Sequence, residues 1–191
     1  SDWSSDVCSS DLGGGGFVFR LAGPFSGVTG TIEQISLSAG GLPKRAVREA
    51  FLGPLGFEGD GHAHPRIHGG PEKAVLLIAA ETVEELASLG YPVFFGALGE
   101  NLTVRGLDRR WFRPGQQYRA GLAVIEFTTL RTPCRSLDVY GPAIKRAIFD
   151  AQVKAGDPAS PRWAMSGFYA RVVSPGTVRA GDIISLMATL A

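Results

Sequence analysis

What most constrains this chain is how often it is interrupted. Within 191 residues, 26 glycines and 12 prolines cut the apolar sequence into pieces of a few residues each. Such punctuation favours many turns between short strands and leaves little room for a helix bundle. The pieces have strand character. Val28, Gly30 and Ile32 alternate with polar neighbours, the pattern of a half-buried strand. Lys73 to Ala79 is a short apolar run of buried-strand length, and strands are also expected over residues 101–104, 123–129, 168–173 and 182–187. Two helices interrupt the series. One spans Glu81 to Leu89 and is stopped by Gly90 and Pro92, and the other spans Ala143 to Ala155 with Gly156 as its C-cap. Two stretches echo each other, Pro114-Gly115 to Gly121 and Pro175-Gly176 to Gly181, and read as two similar hairpin corners. The expected fold is mainly β, a closed or nearly closed barrel with a few short helices.

Residues 1–16 stand apart. Their Ser/Asp repetition and four consecutive glycines show no periodicity and no core face, so they are read as a disordered or non-native tail that takes Cys8 with it. Residues 17–191 are expected to form a single domain. Charge is nearly balanced, 19 basic against 18 acidic residues with no basic run, which argues against a nucleic-acid surface. The longest apolar run falls far short of the roughly 20 residues that cross a bilayer, and no leader-like start is seen. A cytoplasmic protein acting on a small molecule, with neither membrane nor nucleic acid as partner, is the expectation.

Three segments carry candidate chemistry. All three histidines fall between Gly59 and Lys73, where His62 and His64 would project to one face of an extended chain, as metal ligands do. In the same stretch Asp60 is able to orient an imidazole, and Gly69-Gly70 to offer backbone N–H groups to an anion. Equally, these are loop residues that hydrogen-bond backbone. Gly99-Glu100-Asn101 brings a carboxylate and an amide to a strand entrance, suited either to a polar ligand or to an ordinary turn. Arg131-Thr132-Pro133-Cys134-Arg135 follows an apolar strand and delivers a thiol between two guanidinium groups, which favour the thiolate. Thiolate is the form that attacks and that binds soft metals. The plain alternative is a buried cysteine that fills space.

In chain order, the segments Leu55 to Asp60, His64 to Val75, Gly99 to Leu102, Arg131 to Cys134, Gly167 to Val172 and Ala180 to Asp182 resemble the MOSC family, in its free-standing YiiM-like branch. The resemblance implies a β-barrel that binds the molybdenum cofactor, a pterin dithiolene carrying a phosphate. It makes Cys134 a molybdenum ligand or a persulfide carrier, and points to reduction of N-hydroxylated compounds. Cys134 is then the catalytic residue and metal ligand. Arg131, Arg135 and Arg171 become anion contacts, with Asp60, His64, His68, Gly69, Gly70 and Asn101 shaping the cofactor pocket. The thiol would stand at the mouth of a barrel cavity roomy enough for a pterin. The desulfurase domain of full sulfurases and any flavin or iron–sulfur motif are not seen, so a separate reductase would supply electrons. Alternatives are a sulfur or cofactor carrier without turnover, and a cupin-like metal barrel using His62, His64 and His68.

Overall fold

The first strand explains its own sequence. β1 (Thr29–Leu37) buries Gly30 and Ile32 by simple alternation, and a bulge between Ile32 and Gln34 then rephases the strand so that Ile35 is buried too. Gly30 is a necessity here, because a Cβ would lie 2.2 Å from the carbonyl oxygen of Arg105 on the neighbouring strand. The structure is a computed structural model that describes residues 28–61 and 69–187. The residue 1–16 tail therefore lies outside the described residues.

Beyond β1 come β2 (Arg45–Val47), β3 (Glu49–Gly53), β4 (Gly56–Phe57), β5 (Val75–Ala79) and helix α1 (Ala80–Ser88). They are followed by β6 (Leu102–Arg105), β7 (Gln117–Ala120), β8 (Ala123–Leu130), β9 (Phe168–Ser174), β10 (Gly176–Arg179) and β11 (Ile183–Leu186). Hydrogen bonding runs β11-β7-β8-β9-β5-β6-β1, and β1 pairs back onto β11, closing a seven-stranded barrel that carries β2 as an appendage of β1. β5 and β6 run parallel because α1 crosses between them on the outside. A small sheet, β10-β3-β4, packs alongside.

The barrel is filled rather than hollow, which corrects the expected pterin-sized cavity. Phe127 lies at the centre, with ring centroids 5.0 Å from Phe112, 4.7 Å from Tyr118 and 5.2 Å from Phe168. Trp163 joins this cluster and donates its indole N–H to the carbonyl of Phe112 at 3.0 Å. Seven short strands enclose only enough room for side chains, and the aromatic residues take it up. A second apolar cluster lies outside the barrel, where Ile78 on β5 meets α1, Leu98, Leu137, Tyr140 and Ile144.

Two local expectations need correcting. The helix expected over 143–155 is two short ones, α2 (Ile144–Ile148) and α3 (Ala151–Lys154). Phe149 between them is extended, and Asp150 caps α3 by accepting the Val153 N–H at 2.8 Å. A good N-cap residue thus outcompetes helical continuation. Only the first of the two echoing stretches forms a hairpin, β7 with β8; after the second, β10 pairs with β3, and β11 goes to β1 and β7. Turn chemistry sets a reversal, but the partner strand is chosen by the barrel. Among the described residues, no helix is long and apolar enough to cross a membrane.

Candidate functional site

Where β8 ends, the chain is clamped before it turns. The Arg131 N–H donates to the carbonyl of Gly167 at 2.9 Å, and the Ser166 hydroxyl donates to the Arg131 carbonyl at 2.6 Å. Pro133 then stiffens the exit, and Cys134 caps a 3-10 turn over Arg135–Tyr140. The thiol is partly exposed, with its sulfur 2.8 Å from the Ser136 hydroxyl. Burial opposes ionisation of this thiol, but hydrogen bonds from the Ser136 hydroxyl and backbone N–H and the charge of Arg131 outweigh it. The net effect holds Cys134 below the ordinary thiol value.

The site lies on the barrel's flank. Phe168 and Ala170 turn inward, so Tyr169 between them faces outward, where it is buried within reach of Arg131 and Cys134. Burial pushes the Tyr169 phenol up against the charge of Arg131 and a hydrogen bond with it, and the neighbouring thiol adds to the rise, so the hydroxyl stays protonated. The Gly69-Gly70 stretch leads into a 3-10 turn over Pro71–Lys73, laid across the outer face of β9 and anchored by the Thr128 hydroxyl, which donates to the Glu72 carbonyl at 2.6 Å. Gly70 adopts a positive φ of 98° to make this entry. The turn carries the Lys73 ammonium to 5.5 Å above the Tyr169 ring.

Behind Cys134 sits a buried run of alternating charge. Arg131 is 4% exposed, and its Nε and Nη1 have no hydrogen-bond partner. Next to it Glu100 is fully buried, with Oε1 accepting from the Gly96 N–H at 2.6 Å and from the Thr103 hydroxyl at 3.2 Å, while Oε2 accepts nothing. Burial pushes the Glu100 carboxyl up, against the pull of the Gly96 and Thr103 hydrogen bonds and the Arg131 charge. Lys44, also in the field of Glu100, forms a buried ion pair with Asp60. Asp60 further accepts from Asn101 Nδ2 at 2.8 Å and from the Ser38 N–H at 2.9 Å. Asn101 in turn ties β1 to β5, donating to the Ser36 carbonyl and accepting from the Leu76 N–H.

Cys134 and Arg131 are therefore brought together, and Arg135 stands exposed beside them. Gly69 and Gly70 open the turn that covers the site's edge. Asp60 and Asn101 are joined to each other inside the protein, so their side chains hold strands and loop rather than line an open pocket. Arg171 stands apart from Cys134 in its pairing. It lies on the sheet surface, paired with Glu126 across β8 at 2.8 Å and with Glu72 at 3.8 Å. His64 and His68, with His62, lie outside the described residues, and no group of three or more potential metal ligands occurs among the described ones.

The sequence reading gave no site role to Lys44, Lys73, Ser136 or Tyr169, and it placed Glu100 at a strand entrance, suited to a polar ligand or an ordinary turn. A carboxylate set between Leu98 and Leu102 in the apolar stretch from Val93 to Val104 was the available sign that Glu100 is buried.

A first prediction follows from the thiol's surroundings. In metal-free protein, the rate of iodoacetamide alkylation at the Cys134 peptide should rise with pH along a curve whose midpoint falls below that of an ordinary thiol. Serine 136 is a main cause, so Ser136→Ala should move the midpoint upward. An unshifted midpoint in both proteins would contradict the assignment.

The MOSC domain model matches residues 64–185. Uncharacterized protein YflK of Bacillus subtilis (strain 168) is 35% identical over 152 residues, covering 77% of this chain and 63% of that protein. Protein YiiM of Escherichia coli (strain K12) is 34% identical over 100 residues, covering 48% of this chain and 43% of that protein. The chain thus spans less than two thirds of the length of either relative. In three dimensions, the crystal structure of YiiM from Geobacillus stearothermophilus superposes with a TM-score of 0.63 at 24% identity, covering 83% of this chain and 75% of that one. That of YiiM from Escherichia coli gives 0.60 at 23% identity, with 85% and 71% covered. These two likenesses concern the fold, while the family match spans the strands and the turn that build the Cys134 site. On that match, the chain belongs to the MOSC domain family.

Proposed function

We propose that this protein binds the molybdenum cofactor and reduces N-hydroxylated small molecules, with Cys134 as the thiolate ligand to the metal. The observation that carries the reading is a partly exposed thiol at the end of β8 whose ionised form is favoured by Ser136 and Arg131. The donor chemistry fits the group: a soft thiolate suits a high-valent, sulfur-ligated metal, and guanidinium donors left without a protein partner suit an anionic substituent such as a phosphate. Arg131 and the exposed Arg135 are the anion contacts, and Lys73 adds positive charge at the rim. When bound, the cofactor supplies two-electron chemistry that no side chain here offers.

In the reaction the N–O bond breaks, two electrons and two protons enter, and water leaves. The electrons come from a separate reductase. The chain's own part is to hold the sulfur in one direction and to keep proton-bearing groups at hand. The protonated Tyr169 phenol and the Lys73 ammonium meet the second need. The same exposed thiol also favours a second reading, in which Cys134 carries sulfur as a persulfide without turnover.

Elemental analysis decides between these and a first-row metal barrel. Protein purified from a host that makes the cofactor is expected to contain molybdenum, lost in Cys134→Ser. Zinc, iron or manganese in its place would overturn the reading. A metal-free protein whose Cys134 peptide is heavier by one sulfur would support the carrier instead.

A further inference from the structure

Next to Cys134 is the buried Arg131, and next to Arg131 the buried Glu100; the two are of opposite charge, and each has buried polar atoms without a hydrogen-bond partner. Arg131 leaves Nε and Nη1 unmet, and Glu100 leaves Oε2 unmet, yet they form no ion pair with each other. Glu100 is anchored by its other oxygen, through the Gly96 N–H and Thr103, so its position is set by the backbone around it and not by Arg131. Its charged neighbours are Arg131 on one side and Lys44 on the other, with the Tyr140 phenol also in its field. Lys44 is already neutralised by Asp60. The cation left for Glu100 to offset is therefore Arg131, whose other neighbours are the Tyr169 phenol and Cys134 itself.

We propose that Glu100 is a positioning residue of the Cys134 site: its buried carboxylate offsets the charge of Arg131 and so sets how strongly the site favours anionic small molecules over neutral ones. A carboxylate buried behind a guanidinium screens that charge as seen from the sulfur, because little water lies between them to do so. The site then accepts a ligand of modest negative charge without holding every passing anion.

The test compares two alkylating reagents at one pH. Iodoacetate carries a negative charge and iodoacetamide none, and both react with the same thiolate by displacing iodide. The ratio of their rates therefore cancels the ionised fraction and reports the local charge. The full chain is made in a strain unable to synthesise molybdopterin, and modification is read at the Cys134 peptide so that Cys8 does not interfere. Glu100→Gln keeps the acceptor for Gly96 and removes only the charge. It should raise the iodoacetate-to-iodoacetamide ratio roughly threefold at about pH 8 and low salt. Arg131→Met should lower the ratio below that of the parent, and the double variant should fall between the two single variants, because the opposing charges are then removed together. An unchanged ratio in folded Glu100→Gln overturns the proposal, as does an Arg131→Met variant whose ratio is no lower than the parent's. Should Glu100→Gln not fold, Glu100→Asp is read in the same way, with a smaller rise expected because the charge is withdrawn. A merely structural role would leave the ratio untouched. The proposal deepens the reading of Arg131 as an anion contact, but it needs no metal. Its failure with molybdenum present, or its success with molybdenum absent, separates it from the redox assignment.

Discussion

Serine in place of Cys134 is expected to abolish cofactor-dependent reduction of an N-hydroxylated substrate such as benzamidoxime. Even outer-sphere partners of a bound metal cost about 10- to 100-fold when removed, so loss of the ligand itself should exceed about a hundredfold. The substitution changes one atom. A serine hydroxyl stays protonated under conditions where the thiol, favoured by Ser136 and Arg131, gives up its proton, and oxygen is a poor partner for a soft, sulfur-ligated metal. The fold has little to lose, because the side chain is partly exposed and the backbone clamp on Arg131 does not involve it. Activity with a reconstituted reductase, molybdenum content and the thermal midpoint should be measured together. Loss of the first two at an unchanged midpoint is the expected result, and full activity would refute the ligand role.

The largest stability effect is expected at Asp60→Ala, about 3–5 kcal/mol by chemical denaturation. The pair it breaks is almost sealed, with the Lys44 and Asp60 side chains 7% and 4% exposed. Removing the carboxylate leaves an ammonium buried beside it and also strips an acceptor from Asn101 and from the Ser38 N–H. The loss should depend on pH in a definite direction. Burial already holds Lys44 below the ordinary lysine value, with Asp60 pulling it back up. Without Asp60 the folded chain sheds this proton at still lower pH, while the unfolded chain keeps it. The unfolded state then binds more protons, so the stability of the variant should rise with pH in the window below the ordinary lysine range. A deficit that grows with pH would mean that Lys44 finds another partner, with Glu100 the nearest candidate.

Much of this molecule was legible in its sequence, for reasons that are local. Strand positions at residues 123–129 and 168–173, the first helix and the mainly β character follow from side-chain periodicity and from glycine and proline, which act over a few residues. Cys134 could be singled out because its arginine neighbours are adjacent in sequence. What failed was non-local. The second helix broke where Asp150 caps α3, and that carboxylate is held in place by Ser160 and Arg162, ten and twelve residues away. The pairing of Arg171 with Glu126 was equally invisible, because the two meet only where β8 lies beside β9.

The amino-acid order alone determined that short strands would alternate with tight turns, and that a thiol would follow a strand with a guanidinium on either side. Only the folded chain decided which surface that thiol would occupy. Closure of seven strands packs the interior with Phe112, Tyr118, Phe127 and Phe168, and Cys134 is left on the outer flank. It also brings Glu100 and Lys44, widely separated from Cys134 along the chain, into one buried run of alternating charge. Charges interact through space and desolvation is a property of the whole enclosure, so no spacing in the sequence could announce that arrangement.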